Sequence, residues 1–255
     1  GKCYTLKSIM FEPNTKMEPQ ITKDIKGRTA IIVDDFYKNP DEVRELAMTS
    51  DYYTTPNVVG GFPGMRCLVD TPEVEEKLYN VYFHLCDQYF GIPKLDDFRS
   101  NWHITKFLVN NTNDTFLKGN PMGIIPHQDW WENLPSEHPR LQFGSVIYLN
   151  SPDECAGGTN LYSYNGDISI PTDKKSDWEL GKEKIVIKGP LGAALPETER
   201  FEYIKDKVNN QYVVEFEAEM KYNRMVLYQS DVLHSAEVEL GMFRDYSRIN
   251  QVFFM

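Results

Sequence analysis

The segment PHQDWW, residues 126–131, places a histidine and an aspartate two positions apart, directly ahead of paired tryptophans. On an extended segment, side chains at i and i+2 point to the same face, so His127 and Asp129 can address one common point. Alone the pair is a weak signal, because chance produces it often. Its weight depends on what the rest of the chain brings to it.

The surrounding texture is that of strands. From Asn101 onward the runs NWHITKFLV, FGSVIYLN, GGTNLYSY, KEKIVIKG, QYVVEFEAEM, RMVLYQS and SRINQVFF are short, β-branched and aromatic, and separated by turn residues. That spacing predicts an antiparallel sandwich or barrel. PETERFEYIKDKVNNQ (196–211) reads as a helix outside the sheets. The long 163–221 stretch reads as an insert that can act as a lid, since it far exceeds normal connection lengths. Ahead of the strands, AIIVDDF (30–36) reads as a strand. NPDEVRELAM opens a helix with Asn39 as N-cap, Pro40 at the first position and Glu42 completing a capping box. TPEVEEKLYNVYFHLCDQYFG opens a second helix at Thr71 and Pro72, repeats Val74, Leu78, Tyr82, Leu85 and Tyr89 at helical spacing, and stops at Gly91. The expectation is one domain over 1–255, mainly β with flanking helices, in which 1–100 is helical support and 101–255 the β core.

Composition narrows the function classes. A formal charge of −11 argues against a nucleic-acid surface, which needs an excess of Lys and Arg. No run of eighteen apolar residues suggests a membrane span, and the first residues, GKCYTLKS, lack the apolar core of a signal peptide. A soluble, cytoplasmic protein is the expectation. Cys3, Cys67, Cys86 and Cys155 show no paired metal-finger spacing and read as scattered thiols.

RMVLYQSDVLHSAEV places His234 just after an apolar strand, 105 residues beyond Asp129. Two histidines and one carboxylate on one face of a metal leave the opposite positions open, the arrangement that suits non-haem Fe(II) and O₂ chemistry. His103, in mid-strand, and His138, in the polar loop NLPSEHPRL, are competing ligands. His84 lies within the second helix and reads as a packing or surface residue. In DYSRINQVFF, Arg248 opens the last strand and Asn250 faces the same way. A guanidinium at a barrel mouth can hold a carboxylate through a bidentate pair.

The order HxD, VIYLN, GGTNLY, a distal histidine and R-x-N on the final strand resembles the 2-oxoglutarate/Fe(II)-dependent dioxygenases, most closely their prolyl-4-hydroxylase-like branch. The similarity covers about residues 100–255. It implies a double-stranded β-helix (jelly-roll, cupin-like) core and Fe(II) held by His127, Asp129 and His234. It also implies 2-oxoglutarate and O₂ as co-substrates, with ascorbate as a stimulant. In that branch, the tyrosine of the YLN strand and the last-strand arginine share the distal carboxylate of 2-oxoglutarate. Those positions fall on Tyr148 and Arg248, with Asn250 beside them where the branch commonly has serine or alanine. Arg248 stands fourteen residues past His234, further than is usual, and Arg244, at ten, is the alternative anchor.

The implied activity is oxidation of an unactivated C–H bond with release of succinate and CO₂. Hydroxylation is the expected outcome, with desaturation or oxidative cyclisation as alternatives. Asp129 occupies the place that a halogenase leaves open for chloride. The substrate is expected to be a small molecule, such as an amino acid or derivative, or a short peptide, and the oligomeric state is not readable. Trp130 and Trp131, together with Arg66, Lys106 and Arg140, are candidate substrate contacts, and GGFPGMR (60–66) is a loop that can reach the pocket. Two other classes stay open: a non-catalytic jelly-roll that binds a metal or ligand, and a cupin-type lyase or isomerase, whose denser histidine cluster is absent here.

Overall fold

The runs AIIV (30–33), SVIYL (145–149) and MVLY (225–228) are apolar at consecutive positions, which is how strands covered on both faces read. The computed structural model describes residues 11–25, 28–51, 65–69, 72–91, 104–110, 124–128, 143–164, 197–230 and 232–254, and shows how that double coverage arises. Ten strands occur among the described residues: β1 (Gln20–Ile25), β2 (Arg28–Val33), β3 (Met65–Leu68), β4 (Ile104–Asn110), β5 (Phe143–Tyr148), β6 (Gly158–Tyr164), β7 (Tyr212–Glu219), β8 (Met225–Gln229), β9 (Leu233–Glu237) and β10 (Arg248–Phe254). Three α-helices accompany them: α1 (Pro40–Thr49), α2 (Pro72–Phe90) and α3 (Glu197–Gln211). The fold is mainly β with flanking helices.

Every strand pairing is antiparallel. A seven-stranded sheet runs β1-β2-β8-β5-β10-β4-β3, and a three-stranded sheet runs β7-β6-β9. Alternation along the central strands of the large sheet sorts residues between two cores. Ile31, Val33, Phe143, Ile147, Met225, Leu227, Ile249 and Phe253 pack with Val43 and Ala47 of α1 and with Leu78, Tyr82 and Phe83 of α2. Their neighbours Ala30, Ile32, Val146, Tyr148, Val226, Tyr228 and Val252 pack with Leu161, Ala218 and Leu233 of the small sheet. The large sheet is therefore a middle layer, with α1 and α2 behind it and the small sheet in front.

Polar atoms in the rear core are paired internally. Tyr82 Oη lies 2.7 Å from Ser145 Oγ, and Tyr37 Oη donates to Gln251 Oε1 at 2.6 Å. The Tyr82 ring stacks on Phe253, with centroids 4.8 Å apart. Between β7 and β8, Asn223 adopts a left-handed φ of 60° and is buried. Its Oδ1 accepts from Tyr37 N at 2.9 Å and its Nδ2 donates to Tyr37 O at 3.0 Å. One side chain thereby ties the N-terminal segment to the β7–β8 turn.

Four local expectations change. Asn39 stands at the N-cap of α1 but its side chain makes no capping hydrogen bond. Its backbone, at φ −123° and ψ 66°, departs from the extended cap geometry that would bring the amide over the first turn. The first hundred residues supply β1, β2 and β3 to the large sheet in addition to helices, and β2 ends at Val33, short of the predicted 36. Arg66 lies within β3 rather than in a loop. Of 163–221, residues 165–196 lie outside the described residues, and β7 pairs with β6 along its length. Helix α3 sets Phe201, Ile204 and Val208 into the cluster that holds Tyr162 and Tyr212. KEKIVIKG lies outside the described residues, as do His103 and His138.

Candidate functional site

His127 and His234, more than a hundred residues apart in sequence, meet across an isolated antiparallel bridge. His127 N donates to His234 O at 3.0 Å, and His234 N donates to His127 O at 2.9 Å. The bridge adds the 124–128 segment to the small sheet beyond β9. Residues opposed in such a pair project their side chains to the same face. The two imidazole centroids are accordingly 4.5 Å apart, with the ring planes at 53°.

Both rings are oriented by the same device. His127 Nδ1 lies 3.0 Å from Ile125 O, and His234 Nδ1 lies 3.0 Å from Val232 O. A carbonyl oxygen only accepts, so each Nδ1 donates, and in the neutral ring Nε2 is then the lone-pair nitrogen. Second-partner bonds of this kind are what fix the tautomer of a metal-ligating histidine. His234 is buried, and the Tyr228 ring lies 4.5 Å from its ring. Asp129 falls outside the described residues, and among the described residues no three of His, Cys, Asp or Glu converge.

The second feature sits on the facing sheet. Arg248 opens β10 and is 3% exposed, in the core between the two sheets. Its Nη1 donates to Asn250 Oδ1 at 2.8 Å and its Nη2 to Gly158 O at 3.2 Å. The guanidinium carbon lies 5.8 Å from the centroid of the Tyr148 ring. Nε is buried without a hydrogen-bond partner, and among the described residues no carboxylate pairs with this cation. Burial depresses the guanidinium pKa, opposed by the nearby Tyr148 and Tyr228 phenols. Arginine nonetheless stays charged in proteins, so a cation is held in the core without an anionic partner among the described residues.

Tyr148 is the cross-strand neighbour of Asn250. Its hydroxyl lies 2.6 Å from Thr159 Oγ1, and burial raises its pKa while the Arg248 cation and the Thr159 bond lower it. Gly157 and Gly158 make the close approach of β6 possible. A Cβ at Gly158 would stand 2.0 Å from Ala218 O, and one at Gly157 would stand 2.1 Å from Glu237 O. Gly157 also has a φ of 60°, which glycine adopts without strain.

Strand β6 measures the distance between the two features. Leu161 is the partner of His234, Thr159 bonds Tyr148, and the carbonyl of Gly158 receives Arg248. Two to three residues of extended chain separate them, roughly 7–10 Å at the usual rise. Arg244, by contrast, is exposed in the turn before β10. Arg66, Leu108, Asn250 and Tyr148 form one cross-strand row, and Lys106 is the partner of Val252. Trp130, Trp131 and Arg140 lie outside the described residues. Thr159, the Gly158 carbonyl and Tyr228 escaped the sequence reading. The same-face spacing of Thr159 and Leu161 in GGTNLY was the available signal, but only the pairing with β9 gives it meaning.

The family model described as "Family of unknown function (DUF6445)" matches residues 16–243. The chain belongs to this family. Among solved structures, AviO1 from Streptomyces viridochromogenes Tue57 is similar to this DUF6445 chain at 12% identity and a TM-score of 0.37, over 84% of this chain and 79% of its own. E. coli ycfD is similar at 14% identity and a TM-score of 0.35, over 93% of this chain and 54% of its own, so this chain spans about half of its length. No curated protein matches. Among the described residues, no helix is long and apolar enough to cross a membrane.

Proposed function

We propose that this DUF6445 protein is an Fe(II)- and 2-oxoglutarate-dependent oxygenase that hydroxylates an unactivated C–H of a small molecule, such as an amino acid or derivative, or of a short peptide. The observation that carries the reading is the buried Arg248 guanidinium, without a carboxylate partner among the described residues, on the sheet that faces the His127–His234 pair. The residues fit the groups the reading needs. His127 and His234 offer two lone-pair nitrogens fixed by backbone carbonyls, and Asp129, two residues beyond His127, would complete the set that suits Fe(II). Arg248 offers a cation to a carboxylate, and its bond to Gly158 lies three residues along β6 from Leu161, the partner of His234.

When bound together, iron, O₂ and 2-oxoglutarate supply oxidative decarboxylation to succinate and CO₂, coupled to oxidation of the substrate C–H. The protein's share is binding and orientation. Arg248 would hold the distal carboxylate, and Asn250 and Gly158 O steady the guanidinium from the other side. Tyr148, braced by Thr159, lies against the guanidinium and would contact the same carboxylate. Arg244, exposed in its turn, is the poorer anchor. Trp130, Trp131, Arg66, Lys106 and Arg140 are assigned to the substrate side. Desaturation or ring closure would use the same site, differing only in how the substrate is held.

The test is succinate release from 2-oxoglutarate with Fe(II) and ascorbate, across a panel of amino acids and short peptides, with products made under ¹⁸O₂. The expected result is 2-oxoglutarate-dependent succinate, lost in His234→Ala, with one heavy oxygen in the product. Loss of two hydrogens without label would assign desaturation or closure instead. A folded protein that neither binds nor turns over 2-oxoglutarate would overturn the reading, and a chlorinated product would remove Asp129 from the metal set.

A further inference from the structure

Arg248 is the first residue of β10, and the end of a strand is where pairing ordinarily frays. Arg244, four residues earlier in the turn, is exposed. The Arg248 guanidinium nonetheless stays 3% exposed and keeps its bonds to Asn250 and Gly158. Those bonds hold the side chain alone. The backbone that carries it must be fixed by something else.

Asn150, just past the end of β5 at Tyr148, supplies that hold. It is fully buried, and its Nδ2 donates to Ser247 O at 2.9 Å while its Oδ1 accepts from Ile249 N at 2.8 Å. These two backbone groups belong to the residues on either side of Arg248. Leu149 N donates to Ile249 O at 3.0 Å, which is one half of a hydrogen-bonded antiparallel pair. In a continued ladder the return bond from Ile249 N would reach the Leu149 carbonyl. Here the Asn150 amide oxygen receives that proton, and the amide nitrogen extends the hold to Ser247.

We propose that Asn150 is a positioning residue that fixes where the 240–247 turn ends and β10 begins, and so sets Arg248 where it binds 2-oxoglutarate. The identity of the anion rests on the oxygenase reading; the placing of Arg248 does not. Alternation gives the clamp its consequence. A start displaced by one residue would turn Arg248 toward the rear core, where Gln251 already bonds Tyr37. A frayed start would carry it out with the turn. In both cases Asn250 Oδ1 and Gly158 O lose their donor. A primary amide suits the task because one short planar group offers a donor and an acceptor together, whereas a carboxylate offers only acceptors. The clamp also selects the arginine fourteen residues past His234 over the one at ten.

Arginine-selective labelling of the full, ligand-free chain with phenylglyoxal, read by peptide mass spectrometry, tests the placing. In the unaltered protein Arg244 should react and Arg248 should be protected. In Asn150→Ala, Arg248 should react about tenfold faster or more, and the Kd for 2-oxoglutarate should rise by a similar factor. Tyr82→Phe, which loses a buried bond in the rear core, should lower Tm and leave both readings unchanged. If the alanine variant does not fold, native-state hydrogen exchange of the unaltered chain decides: the Ile249 amide should exchange as slowly as those in the middle of β10. Protection of Arg248 in folded Asn150→Ala, or an Ile249 amide that exchanges like a frayed end, overturns the proposal. So does a gain in reactivity that Tyr82→Phe reproduces. Exposure of Arg248 by Asn150→Ala, in a protein whose unaltered form binds no 2-oxoglutarate, would support the clamp and overturn the oxygenase reading instead.

Discussion

Replacing Arg248 by methionine separates a ligand anchor from a structural cation, because the two roles predict opposite balances between stability and binding. In the ligand-free protein the guanidinium donates two hydrogen bonds, to Asn250 and Gly158, while Nε remains buried without a partner. Losing two bonds donated by a charged group costs about 1.5–3 kcal/mol each. Against that, methionine removes a buried charge whose desolvation costs several kcal/mol in real proteins, and it fills most of the same volume. The ligand-free variant should therefore lie within about 2 kcal/mol of the parent, on either side. Binding should respond very differently. Losing the charged partner of a buried carboxylate costs about 3–5 kcal/mol, which is two to nearly four orders of magnitude in affinity for 2-oxoglutarate. The assay is urea or thermal unfolding with and without 2-oxoglutarate. A hundredfold excess over Kd should stabilise the parent by about 2.7 kcal/mol and leave Arg248→Met unmoved. Arg244→Met, at an exposed turn, should change stability by no more than about 0.5 kcal/mol and keep the ligand effect. Retained ligand stabilisation in Arg248→Met would refute the anchor. A loss above about 4 kcal/mol without ligand would instead make Arg248 half of a structural pair.

Three further outcomes follow from the fold. Asn223→Ala removes two buried bonds to the Tyr37 backbone and forces alanine to a φ of 60°, so chemical denaturation should show a loss of about 3 kcal/mol; Asn223→Gly should recover the backbone part only. Gly158→Ala drives a Cβ into Ala218 O, and should lower stability by about 1–3 kcal/mol or more while also weakening 2-oxoglutarate binding, since the Gly158 carbonyl steadies Arg248. Asp34 has a pKa held low chiefly by its hydrogen bond from Arg224, against burial and with help from Lys221. A depressed folded pKa contributes stability above the ordinary carboxylate value and loses it as pH falls through the folded one. Asp34→Asn should thus cost about 1–3 kcal/mol near neutral pH and flatten the acid limb of stability against pH; an unchanged acid limb would discount the pair.

The elements that sequence resolved best are those whose signal is local. Helix α2 runs Pro72–Phe90, with Gly91 at a φ of 68° just beyond it, because proline, periodicity and glycine act within a few residues of one another. Val74, Leu78, Tyr82 and Leu85 are all buried on it. β1 and β3 were missed because QITKDI and MRCL are short edge strands of mixed polarity, and only pairing to β2 and β4 makes them strands. The anchor was ambiguous for a related reason. Arg244 and Arg248 both precede or open a plausible strand, and their burial depends on where the 240–247 turn ends, which no pattern in SRINQVFF specifies. The orientation of the histidines was likewise invisible, since Ile125 O and Val232 O are backbone atoms and carry no residue signature.

What marks the candidate site physically is a contrast between the two faces of one sheet. On the rear face, the buried polar atoms of β5 and β10 are matched within the protein: Ser145 with Tyr82, and Gln251 with Tyr37. On the front face the same two strands present Tyr148, Arg248 and Asn250, and there a full positive charge is buried without a carboxylate among the described residues. Natural cores satisfy buried charge, so a contrast of this kind among the described residues is the pattern expected of a binding site rather than of poor packing. The glycines at 157 and 158 carry the same implication, since Gly157 allows close approach to Glu237 of β9, Gly158 to Ala218 of β7, and the Gly158 carbonyl accepts from the guanidinium. Such bracing holds the cation in place before any ligand arrives. Preorganised, desolvated charge is what a site needs if it is to bind an anion without first ordering its own side chains.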